Sequence, residues 1–158
     1  MRVVSSLMLL WALTPALPAA DFAKGVAAYK KGDYNAAVKE WRPEAEDGDA
    51  EAQFNMGLLY LDGHGVPQDP TEAAKWFRRS AEQGYTLAQH NLGAMYGSGQ
   101  GVRRDYVEAY KWMNICAASG NAGCIAQRDL LAKKLKPAEV TRAQRMATEF
   151  TPRKENER

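Results

Sequence analysis

The sequence predicts an all-α protein: a solenoid of antiparallel helix hairpins closed by a C-terminal capping helix. Three observations carry this expectation. The chain repeats itself at an interval of 36 residues. Within each repeat, apolar residues recur at helical spacing on both sides of a glycine-rich break. The composition is that of an ordinary soluble domain, with 158 residues, 46% hydrophobic and 25% charged, and 21 Lys+Arg against 19 Asp+Glu. That balance excludes collagen-like, disordered and histone-like chains, and a formal charge of +2 is too weak a field to gather nucleic acid.

Residues 1–20 read as a secretory signal peptide: Met1-Arg2 supplies a basic start, an apolar stretch follows, and Pro18-Ala19-Ala20 precedes the first acidic residue, Asp21. The stretch carries Pro15 and falls short of the ~20 residues a membrane span needs. Pro18 is a poor third residue before a cut after Ala20, so cleavage after Ala19 or slightly later stays open. A periplasmic or secreted location follows, with membrane contact only through the leader before cleavage.

Residues 21–49 form a first hairpin, marked by Gly25, Ala28, Tyr29, Gly32, Tyr34, Ala37 and Trp41 around the short turn KKGDY. Residues 50–85 and 86–121 are the repeat itself. Aligned without a gap, 15 of their 36 positions are identical, among them Gln53/Gln89, Asn55/Asn91, Gly57/Gly93, Gly65/Gly101, Asp69/Asp105 and Trp76/Trp112. Ala52, Met56, Leu59 and Tyr60 give the first helix of a unit. The segment Gly63-His64-Gly65-Val66-Pro67 breaks it, and Ala73, Trp76, Phe77 and Ala81 give the second helix before Gly84 stops it. Gly57 and Gly93 lie inside a helix at a cost of about 1 kcal/mol each, which implies close approach of the paired helix. Trp76 and Trp112 are expected to plug the space between hairpins. Residues 122–150 comprise a degenerate first helix and an amphipathic cap opened by Pro137, with Val140, Ala143, Met146, Ala147 and Phe150 on one face. A solenoid needs such a terminal element to cover its open end. The charged tail 151–158 is expected to fray.

Cys116 and Cys124 bracket the turn between two helices. In an exported chain they meet an oxidising compartment, and a turn holding Gly120 and Gly123 can bring their Cα atoms within the roughly 4.4–6.8 Å a disulfide needs. A buried free pair is the alternative. A redox or metal site is disfavoured, since C-x-x-C and histidine companions are missing.

Through Ala52, Gln53, Asn55, Gly57, Tyr60, Gly63, Gly65, Val66 and Asp69, then Ala73, Lys75, Trp76, Ala81 and Gly84, the repeat resembles the Sel1-like repeats, relatives of the tetratricopeptide repeats. The first hairpin is similar to a tetratricopeptide unit. The resemblance implies a right-handed α-solenoid that binds a protein or peptide on its concave wall. It also implies, from cysteine-rich secreted members, that Cys116 and Cys124 staple adjacent helices. Some secreted members are associated with penicillin binding or β-lactam hydrolysis, which gives the alternative reading of a β-lactam- or peptidoglycan-recognising protein or weak β-lactamase.

The chemistry-bearing residues do not form a catalytic constellation. No S-x-x-K occurs, His64 and His90 have no acidic partner at ligand spacing, and the glycine segments fall between helices without completing G-x-G-x-x-G. No enzyme activity, metal or cofactor is therefore expected. On the first helix of each unit, Glu51, Phe54, Asn55 and Leu58 and then Leu87, His90, Asn91 and Ala94 are expected to face the groove, extended by Phe22, Val26 and Tyr29. Phe54 and Leu58 are candidate anchors for an apolar side chain, and Asn55 and Asn91 for hydrogen bonds to an extended backbone. His90 and Ala94 complete the partner-binding set. The expectation is a monomeric, exported interaction module of the bacterial cell envelope that binds no nucleic acid.

Overall fold

A computed structural model describes residues 21–155; the leader expected over residues 1–20 lies outside them. Eight helices follow one another: α1 (Phe22–Lys30), α2 (Tyr34–Glu46), α3 (Ala50–Asp62), α4 (Pro70–Glu82), α5 (Thr86–Ser98), α6 (Tyr106–Ala117), α7 (Ala122–Ala132) and α8 (Pro137–Thr148). No strand occurs among the described residues. Each of α2, α4 and α6 packs both on the helix before it and on the helix after it, so the hairpins stack in two layers. The all-α solenoid expected from the repeat is the fold observed.

The 36-residue register reaches further back than the two similar units. Asp33, Asp69 and Asp105 each cap a second helix, their carboxylates accepting backbone N–H groups from Ala36, from Thr71 and Glu72, and from Val107 and Glu108. Ala37, Ala73 and Ala109, in the same register, are all fully buried. Such caps contribute about 1 kcal/mol apiece.

Close approach between helices follows from glycine. A Cβ on Gly57 would stand 2.6 Å from the Phe77 ring, so α4 lies directly on the backbone of α3. Gly65, at φ +70°, serves a second purpose: its Cβ would lie 2.6 Å from the Tyr34 carbonyl carbon. The glycine-rich break therefore rests backbone-to-backbone on the start of α2. Trp41 and Trp76 lie with Met56 and Leu59 in one buried cluster, and Trp112 with Phe54, Phe77 and Leu92 in the next, so each repeat's tryptophan packs against the hairpin before it.

A buried amide links successive units. Gln53 donates from Nε2 to the Ala45 carbonyl in the last turn of α2, at 3.0 Å, and Gln89 donates to the Ala81 carbonyl in the last turn of α4, at 3.2 Å. Each adds a side-chain donor from the next unit to a helix-end carbonyl that also accepts a backbone N–H, from Gly48 and from Gly84 respectively. In the third junction the same register position is Ile125, which is exposed. There a Cys116–Cys124 disulfide, with Cα atoms 5.8 Å apart, joins α6 to α7.

The capping helix expected at the end of the stack is α8, which lies on α6 and buries Ala143, while Phe150 meets the Trp112 ring at 5.5 Å. The α7 residue Leu130 is left 58% exposed. Contrary to expectation, residues 151–155 do not fray: the Arg153 amide donates to the Glu82 carbonyl, and Glu155 pairs with Arg79 at 2.7 Å. Charge composition makes this tail look solvated, but the Glu155 carboxylate has its partner on α4.

Removing the eight-residue crosslink should release about 2.5 kcal/mol in the chain-entropy account. The double substitution Cys116→Ala and Cys124→Ala is expected to lower the urea midpoint with an unchanged slope, and reductant should do the same to the native chain.

Candidate functional site

The wall made by α1 and α3 carries an apolar cleft of about 300 Å³ lined by Phe22, Val26, Tyr29, Lys30, Trp41, Glu51, Asn55 and Leu58. Helical spacing puts Glu51, Asn55 and Leu58 on one face of α3, while Phe22, Val26 and Tyr29 come from α1. Trp41, from the layer behind, forms the floor; its indole N–H donates to the Phe22 carbonyl at 3.2 Å, and its ring lies 6.0 Å from Phe22 and 5.7 Å from Tyr29. Gly25 makes this possible, because any side chain there would occupy the space of the Trp41 indole.

The polar groups at this cleft are few and distinct. Lys30 and Glu51 bring one charge of each sign. The Asn55 side chain makes no hydrogen bond to the described residues, so its amide can donate and accept toward a ligand. Burial pushes the Tyr29 hydroxyl above the usual phenol range, with Tyr34 and Asp62 adding to the effect. It therefore keeps its proton, and its capacity to donate, throughout the neutral range.

A second cleft of about 300 Å³ opens between α5 and α7, with Ala94, Gly97, Tyr106, Gln127, Leu130 and Lys134 among its lining residues. Ala94 stands in this second cleft. His90 and Asn91 engage each other, and His90 also engages α7. The His90 Nε2 lies 3.1 Å from Gln127 Nε2, and its Nδ1 lies 3.4 Å from Asn91 Oδ1. Both contacts suit one tautomer, with Nε2 accepting and Nδ1 donating. His90 is thus tied to the degenerate repeat, whereas its neighbour Leu87 stands 48% exposed.

Phe54 must be reassigned. It is 9% exposed, with its ring 5.8 Å from Phe77 and 5.2 Å from Tyr85, so it belongs to the core between α3, α4 and the start of α5. The sequence missed the lining role of Trp41 and Lys30, although the α1 positions it named lie beside both. Of the expected set, Asn55 and Leu58 share the first cleft, Ala94 lies in the second, and His90 and Asn91 line neither, His90 contacting Asn91 and Gln127. Phe54→Ala is expected to cost about 3 kcal/mol of stability, read as a lower denaturation midpoint.

Among the described residues no helix is long and apolar enough to cross a membrane, and no group of three or more His, Cys, Asp or Glu is placed to hold a metal. His64 stacks on Tyr34 with ring centroids 4.1 Å apart and is not among the residues that line either cleft.

Residues 50–85 and 86–121 each match the Sel1 repeat family. No curated protein matches the chain significantly. Among solved structures, the chain is similar to c5321, a protective antigen present in uropathogenic Escherichia coli strains that displays an SLR fold. The identity is 34% and the TM-score 0.76, over 80% of this chain and 28% of that one. It is also similar to a Sel1 repeat protein from Oxalobacter formigenes, with 30% identity and a TM-score of 0.68, over 83% of this chain and 56% of that one. The chain thus spans between about a quarter and about half the length of these neighbours. The two matched repeats, the glycine-seated helix contacts and the shared solenoid make this chain a Sel1-like repeat protein.

Proposed function

We propose that the protein is a non-enzymatic, exported interaction module that takes a peptide or protein segment on the concave wall formed by its first helices. The observation that carries this reading is the α1–α3 cleft: an aromatic floor and walls, and a buried-edge asparagine whose amide has no partner among the described residues. That combination suits an apolar side chain set beside a backbone amide, the unit that every peptide presents. Sel1 repeats are typically protein-interaction modules, which supports the same class of partner. The disulfide is consistent with an oxidising compartment and supports placing the module in the cell envelope or outside the cell. Leu58, Val26 and Phe22 would hold the apolar side chain, Asn55 and Tyr29 the backbone, and Ala94 with Asn91 and His90 would extend the contact toward α7.

The test is selection of peptides from a random library on the wild-type chain, followed by calorimetric titration. Combining Leu58→Asp with Asn55→Ala, at unchanged helicity, is expected to weaken the selected peptides by about tenfold or more. Peptides that bind the doubly substituted chain as tightly as the wild type would remove the cleft from the interface.

A further inference from the structure

At the opposite edge of the stack, where α2 and α4 end, the tail residue Glu155 enters a site built for a carboxylate. Arg79 grips it with two N–H groups, Nε to Oε1 at 3.1 Å and Nη2 to Oε2 at 2.7 Å. Gln53, fully buried, adds a third donor through Nε2 at 2.9 Å. Gln83 accepts the Glu155 amide on its Oε1 at 3.2 Å and donates to the Gln53 side-chain oxygen at 2.8 Å. The fork is held in place from behind, because the Arg79 guanidinium lies 4.7 Å over the Trp76 ring and also donates to the Ala45 carbonyl. Two parallel N–H···O bonds from an arginine select a carboxylate by shape as well as by charge.

The segment that brings Glu155 here is irregular backbone, bound through alternate amides: Arg153 to the Glu82 carbonyl and Glu155 to Gln83. Pro152 packs where a Cβ on Gly84 would come within 3.2 Å of it. The site thus meets a proline, the backbone amide that follows it and, two residues further on, a glutamate. The next repeat supplies an internal control. Its equivalents of Arg79 and Gln83 are Ile115 and Ser119, and its equivalent of Gly84, Gly120, would meet nothing within 4 Å. The architecture therefore does not require these residues.

We propose that Arg79, Gln53 and Gln83 form a recognition site for a glutamate-bearing, non-helical protein segment, which the chain fills with its own Glu155 and from which a partner segment of the same chemistry displaces the tail. The site is separate from the α1–α3 cleft, and its failure would leave the cleft untouched.

The probe is an acetylated and amidated peptide of sequence TPRKEN, whose single carboxylate matches Glu155, titrated into the full chain by isothermal calorimetry. A tethered tail competes at an effective concentration on the order of millimolar. Glu155→Ala should therefore bind the peptide about tenfold or more tightly than the wild type. Adding Arg79→Met to Glu155→Ala should abolish that gain. So should replacing the peptide's glutamate with glutamine, a control that leaves the protein unaltered. Equal binding by wild type and Glu155→Ala, or undiminished binding of the glutamine peptide, would overturn the proposal.

Discussion

The structure depends on neighbouring elements reaching the backbone at positions where a side chain has no room. Gly57 lets α4 settle on α3, and Gly65 seats the glycine-rich break on the first turn of α2. These contacts fix the spacing within a hairpin and between hairpins respectively. Once both distances are set, the buried alanines, the tryptophans and the glutamine amides occupy the space that remains. The carbonyl capping by Gln53 and Gln89 has meaning only because the next helix is held within hydrogen-bond reach of the one before.

Much of this was legible in the chain. A period of 36 residues with glycine and tryptophan in fixed phase gives the hairpins and their stacking, while Asp69 and Asp105 show in it only as identical positions. Local chemistry sufficed there, since each signal acts within a few residues of itself. Gln53 and Gln89 were visible as identical positions, but their role was not, because the carbonyl each one caps lies eight residues upstream on another helix.

The site was legible only in part. Asn55 and Leu58 line the α1–α3 cleft, whereas Phe54, expected on the same face, points into the core. The cause lies in α3 itself: Ala52, Phe54, Met56, Leu58 and Leu59 spread apolar character around the helix, so the sequence offers no sharp direction. His90 depends on Gln127, from a helix too degenerate to align with the repeat. The tail was least legible of all. Glu155 finds Gln53 across 102 residues of sequence, and no periodic signal encodes a pairing of that range.

The third junction is joined differently from the two before it. Where Ile125 replaces the amide donor, the joint between neighbours passes from a reversible polar bond to a covalent one, and α8 turns back onto α6 rather than presenting a further seat. Lengthening the array by duplication is therefore favoured at an internal seam, such as that between residues 85 and 86, where each new copy brings its own glutamine. Past the cystine the register position holds Ile125, so a copy joined there would lack the amide that ties the other units together.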